Sequence, residues 1–207
     1  MATHLRFLKQ RSGAADLPAG IAVRYAVCSD VNGQIAEPRI VFDLEKPHLG
    51  GGAQCRGADG QALTVDWSAR EPGTWRLIDA GGAVVAVASR RGGLKSGIRL
   101  TSAQNDVLAE FVDPASVSRQ ILRSVLNGSN CTYLCLAGDK PLGQLVRLPR
   151  GGQRSAGMVG RLKGLLATHD WVFVSEGAGE LGAREEHLEP VVFAALVAIV
   201  DLEFADA

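Results

Sequence analysis

The chain's 207 residues suit one large domain or two small ones, and a hydrophobic fraction of 46% suits a protein that builds a real core. Four cysteines, Cys28, Cys55, Cys131 and Cys135, are too few and too scattered for a disulfide scaffold and read as reduced thiols of a cytosolic protein. The formal charge is zero, but residues 89–163 carry 12 basic and 4 acidic side chains, whereas residues 164–207 carry 1 and 9.

Two readings of that asymmetry stand. In one, the basic middle and the acidic end face each other in the fold and cancel. In the other, the basic stretch forms a surface that meets an anionic partner.

The opening stretch, "MATHLRFLKQRSGAADLP", lacks the apolar h-region of a secretory signal. The sequons at Asn127 and Asn130 are therefore expected to carry no glycan. "CSDVNGQIAEPR" (Cys28 to Arg39) and "CRGADGQALTVDW" (Cys55 to Trp67) each read as strand, turn, strand. "TWRLIDAGGAVVAVASR" (Thr74 to Arg90) is the clearest case, with its turn at Ala80-Gly81-Gly82. Further strands are predicted at Lys95–Thr101 and Val107–Val112. "DPASVSRQILRSVLNG" is open: Asp113 and Pro114 can start a short helix, or Arg119–Leu126 can be a strand.

"CTYLCLAGDKPLGQLVRL" (Cys131 to Leu148) repeats the Thr74 hairpin at an offset of 58, so that Trp75 meets Tyr133 and Ile78 meets Leu136. Its turn is Gly138-Asp139-Lys140. A recurring hairpin predicts an antiparallel meander closing into a barrel or sandwich. "KPHLGGGAQ" and "LPRGGQRSAG" read as loops within a single domain.

Trp171–Ser175 reads as a strand. Gly177, Gly179 and Gly182 after it fit G-x-G-x-x-G, with Asp201 downstream. A dinucleotide site is rejected. Arg184 to His187 and Pro190 allow no regular helix straight after the glycines, acidic groups there repel a pyrophosphate, and no βαβ alternation accompanies them.

The last element is "EPVVFAALVAIVDLEF", from Glu189 to Phe204. Val191 to Val200 is ten residues without a polar side chain, about 15 Å as a helix, against the roughly 20 residues that a membrane span needs. Pro190 suits a first helical turn, with Glu185, Glu186 and Glu189 near the positive end of the dipole. A helix apolar on every side is buried on every side. The reading is a central core helix over about 188–203, enclosed by strands.

"FAALVAIVDLEF" resembles the closing helix of the phospholipid scramblase and LURP-one-related proteins, in which an Ala/Leu-rich run ends in an Ile-Asp or similar pair. Val200-Asp201 holds that place here. The repeated strand, Asp/Gly turn, strand unit resembles the same families, over about residues 20–204. The resemblance implies the tubby C-terminal-like fold: a twelve-stranded antiparallel barrel around a hydrophobic C-terminal helix. The Pro-rich arm and palmitoylated cysteines of the scramblases have no counterpart here, so the resemblance is closer to the free-standing barrel.

No catalytic machinery is legible. His4, His48, His169 and His187 have no metal spacing, and Cys131 and Cys135 are followed by no second pair of ligands. No nucleophile motif, P-loop or EF-hand loop is present. The expectation is a non-enzyme without metal or cofactor. The basic stretches remain: "SRRGGLKSGIR" places Arg90, Arg91, Lys95 and Arg99 around one Gly-rich turn, and "VRLPRGGQR" adds Arg147, Arg150 and Arg154. Arg and Lys around exposed backbone N–H groups can hold phosphate. In tubby-like proteins a basic patch binds phosphoinositide head groups, an analogy of patch. The expected partner is thus an anionic lipid surface or a protein, for a cytoplasmic chain peripheral to a membrane. Nucleic acid is not expected, since no aromatic stripe interleaves with the charges. The alternative is a cytosolic structural or protein-interaction module without a ligand.

Overall fold

Alternation of apolar and polar residues along short runs, broken by Gly and Asp, is what builds the wall of this protein. A computed structural model describes residues 3–11, 17–31, 34–45, 53–57, 59–67, 72–91, 97–114, 132–149, 169–175 and 189–204. The segment 115–131 and the glycines at 177, 179 and 182 lie outside these.

The strands are β1 (Thr3–Arg11), β2 (Val23–Val31), β3 (Gln34–Ile35), β4 (Ile40–Leu44), β5 (Ala53–Gly57), β6 (Ala62–Trp67) and β7 (Thr74–Asp79). They continue as β8 (Val84–Arg90), β9 (Gly97–Ser102), β10 (Val107–Val112), β11 (Thr132–Ala137), β12 (Lys140–Pro149) and β13 (His169–Ser175). One helix follows, α1 (Pro190–Phe204). From β4 onward each strand pairs antiparallel with the next. The short β3 and β4 lie end to end along one side of β2 and act as one stave.

β1, which the sequence reading did not assign, closes the ring. It pairs with β2 on one side, from Thr3↔Val31 to Arg11↔Val23, and with β13 on the other, through Leu5↔Phe173 and Phe7↔Trp171. The result is a closed antiparallel barrel of twelve staves. Closure leaves no strand edge along the seam for another chain to pair with.

The turns follow their residues. In the β11–β12 hairpin Gly138 is the first of two turn residues and has φ +60°, the conformation of a type II′ turn that glycine adopts without strain. In β7–β8 the Asp79 carboxylate accepts the Ala83 N–H at 2.8 Å and braces the Gly-Gly turn. Gly97 serves a different purpose: a Cβ there would stand 2.2 Å from the Phe111 carbonyl oxygen, so β9 and β10 touch where no side chain fits.

The inward rows of the strands are mostly apolar, with Lys9 of β1 the buried exception. Phe42, Cys55, Val65, Leu77, Ala88, Leu100, Phe111, Cys135 and Leu145 are wholly enclosed. α1 fills the space within. Val191 through Val200 are all buried, as a helix apolar all round requires. Phe193 binds it to the wall, with ring centroids 4.9 Å from Phe173, 5.9 Å from Phe111 and 6.1 Å from Phe7. No described helix is long and apolar enough to cross a membrane.

Candidate functional site

Two groups of polar side chains stand out, one inside the barrel and one at its rim. The inner group starts on β1. Alternate residues share a face, so Leu5, Phe7 and Lys9 point inward together. Register then sets Lys9 beside Tyr25 on β2 and Phe7 beside Trp171 on β13. From the centre, α1 brings Asp201 to the same level.

Lys9 Nζ donates to Asp201 Oδ2 at 2.6 Å, and the Tyr25 hydroxyl donates to the same oxygen. Trp171 Nε1 donates to Oδ1 at 2.6 Å. Lys9 and Asp201 both have 0% exposure. The Lys9 ammonium also stands 5.5 Å from the centre of the Tyr25 ring, within reach of its π face. A buried charge is tolerated only when paired and hydrogen-bonded, and here both carboxylate oxygens are occupied. A helix apolar on all sides has no preferred rotation of its own. The Asp201 carboxylate supplies one, together with a depth.

The outer face of the same seam is polar too. Arg6 Nε lies 3.6 Å from Asp30, and the Lys9 backbone N–H donates to Asp170 at 3.3 Å. Cys28 is enclosed between these charges. Burial, with help from Asp170, raises its thiol pKa, and Arg6 opposes the rise. Burial pushes the inward thiols of Cys55 and Cys135 up to about 12, so both stay protonated near neutral pH. Among the described residues no three His, Cys, Asp or Glu side chains come together as a metal-holding group.

The rim group holds three of the arginines that the sequence singles out. Arg99 on β9 faces Glu110 on β10 in register, and its Nε donates to Oε1. Arg91, just past β8, donates to Oε2 of the same carboxylate at 2.8 Å. Arg90 ends β8 on the inward row of Ala86 and Ala88, at the mouth of the barrel, and meets Glu203 of α1 at 3.0 Å. Arg90 and Arg99 remain well exposed, at 59% and 44%, whereas Glu110 and Glu203 are nearly covered.

Arg147 is placed elsewhere. The β7–β8 and β11–β12 hairpins carry the same bulge, with Leu77 opposite Ala86 and Cys135 opposite Gly143. The offset of 58 in the first strand thereby becomes 57 in the second, and Arg147 is the register equivalent of Arg90. The two hairpins are separated around the wall, however, with β9 and β10 between them. At about 4.8 Å per strand, Arg147 is on the order of 19 Å from Arg90 across the sheet. Lys95, Arg150 and Arg154 lie outside the described residues.

The inner group escaped the sequence reading. Its signal was present: Lys9 breaks the apolar row Leu5, Phe7, and Asp201 is the first polar residue of the core helix. Neither anomaly names the other, since 192 positions separate them. No protein-family model, no curated protein and no solved structure matches this chain.

Proposed function

We propose that this chain is a non-enzymatic barrel of the tubby C-terminal-like kind, similar to LURP-one-related and scramblase-like modules, acting at the cytoplasmic surface of a membrane. In this reading the rim arginines hold anionic phospholipid head groups. The observation that carries it is the gathering of Arg90, Arg91 and Arg99 at neighbouring ends of β8 and β9 against two carboxylates, Glu110 and Glu203. Three arginines thus share two carboxylates in these pairs, and Arg90 and Arg99 are the exposed partners. The guanidiniums of Arg90 and Arg99 are open to solvent, so a phosphate can approach them beside the carboxylates they already meet. Arg binds phosphate through paired, charge-assisted hydrogen bonds, which adds geometric fit to attraction.

Glu110 and Glu203 also favour a second reading. Each arginine already has a carboxylate, and Arg90–Glu203 joins the basic middle of the chain to its acidic end. In that reading the rim is internally neutralised and the barrel is a structural or protein-interaction module.

Co-flotation with liposomes separates the two. A head-group module floats with anionic liposomes at low salt, is released at high salt, and ignores neutral liposomes. Arg90→Glu/Arg91→Glu loses flotation, while Arg56→Glu, on the exposed face of β5, keeps it. Absence of flotation at low salt leaves the second reading.

A further inference from the structure

We propose that the buried Lys9 and Asp201 side chains become joined by an amide bond, an intramolecular isopeptide cross-link between the first strand and the core helix. The inference is independent of what the rim binds. It rests on the arrangement around the Asp201 carboxylate, which meets each requirement of such a condensation.

The reactants are held together. Lys9 Nζ and Asp201 Oδ2 are 2.6 Å apart, on elements fixed by the barrel wall and by the helix within it, which replaces a bimolecular encounter by a positioned one. They are also dry. Both have 0% exposure, and Phe7, Val23, Val27 and Phe173 beside them on the inward face are buried and apolar, the charged Arg11 one step further along β1 being exposed. Water that would hydrate the ion pair, and hydrolyse an amide once formed, is kept out. The two carboxylate oxygens are treated differently. Trp171 Nε1 donates to Oδ1, where negative charge develops when the carbon is attacked. Oδ2 takes hydrogen bonds from Lys9 and from the Tyr25 hydroxyl and is the oxygen placed to depart.

The ammonium passes one proton to Oδ2 along their hydrogen bond, leaving a neutral amine and a neutral carboxylic acid. The nitrogen lone pair attacks Cγ, and the carbonyl electron pair moves to Oδ1 under the indole N–H. A second nitrogen proton passes to Oδ2, which the Tyr25 hydroxyl also hydrogen-bonds, the Oδ1 electron pair re-forms the carbonyl, and Oδ2 leaves as water. A C–N bond forms and a C–O bond breaks. One water is released, nothing is oxidised or reduced, and no co-reactant is needed. The product ties together residues 192 positions apart and restricts the unfolded chain as a long-loop disulfide does.

The test is the intact mass of the purified full chain in denaturant. Wild type is expected to be lighter than its sequence mass by one water, and Lys9→Arg, which keeps the charge but not the amine, to show its full sequence mass. A tryptic digest of wild type is expected to yield one branched peptide carrying both Lys9 and Asp201. Asp201→Asn reaches the same product by losing ammonia, so its mass coincides with that of cross-linked wild type. Wild type at full sequence mass, with Lys9 and Asp201 in separate peptides, overturns the proposal. That measurement decides even where a variant fails to fold.

Discussion

At Asp201 the donors are not equivalent, because one carries charge. Lys9→Met leaves a carboxylate sealed in an apolar barrel with neither a counter-ion nor an amide partner, a loss of at least about 3–5 kcal/mol. Lys9→Met/Asp201→Leu removes the stranded charge as well and is expected to be more stable than Lys9→Met, so the two sites are strongly non-additive in urea unfolding. The inward thiols give a pH signature. Burial holds Cys55 and Cys135 at about 12, against the ordinary 9.0 of the unfolded chain. Above the ordinary value the unfolded state releases these protons while the native state keeps them, so stability falls as pH rises. The thiols cost nothing well below 9.0, and the loss accumulates up to about 12. One pH unit above the ordinary value each thiol costs about 1.4 kcal/mol. Between about pH 8 and pH 10 wild type should therefore lose about 3 kcal/mol more than Cys55→Ala/Cys135→Ala, by urea midpoints at each pH. Residue chemistry of this kind was half legible beforehand. The burial of the cysteines follows from their apolar neighbours, but the partner of Lys9 depends on barrel closure, which local patterns do not encode.

Elements were the most legible scale, because each is specified by its own residues. The Ala80-Gly81-Gly82 and Gly138-Asp139 turns define two hairpins whose bulges fall at matching positions, between Leu77 and Ile78 and between Cys135 and Leu136. The apolar run at the end of the chain could be nothing shorter-ranged than a core helix, since neither its length nor its flanks suit a membrane span. β1 was missed for the opposite reason: Lys9 interrupts its apolar row, so the alternation looks too short for a strand. Ala195 and Leu196 are fully enclosed. Leu196→Asp puts an unpaired charge there at a cost of several kcal/mol, comparable to a typical total of roughly 5–15. The expected outcome is no soluble, cooperatively unfolding protein, and a sharp urea transition in this variant would refute the core-helix assignment. Gly97→Ala tests the wall itself. Its Cβ would meet the Phe111 carbonyl at 2.2 Å, so β9 and β10 must part, and a loss of about 1–3 kcal/mol is expected.

For the whole molecule the decisive contact is the seam. Staves β4 to β13 form by pairing each strand with the next, over short loops in sequence for the most part. β1 differs: it must find both β2 and β13, and Phe7 pairs with Trp171 across most of the chain. Loop-closure entropy must be met before such a contact stabilises anything, so barrels dominated by non-local pairing fold slowly, in roughly milliseconds to seconds. The rim shows the same dependence on closure. Arg90 meets Glu203 only once the helix is enclosed, which joins one residue of the basic stretch to one of the acidic end. If the seam forms after the meander, its side chains are absent from the folding transition state. Phe7→Leu trims a buried ring that touches Phe193 and is expected to cost about 1–2 kcal/mol. That cost should appear almost wholly as faster unfolding, by about 5- to 30-fold, with the folding limb of the chevron unmoved. Leu77→Ala, in the middle of the meander, should instead slow folding. Equal shifts of both limbs for Phe7→Leu would mean that the seam is already closed at the barrier, and that the helix and β1 assemble first as a nucleus around which the remaining staves wind.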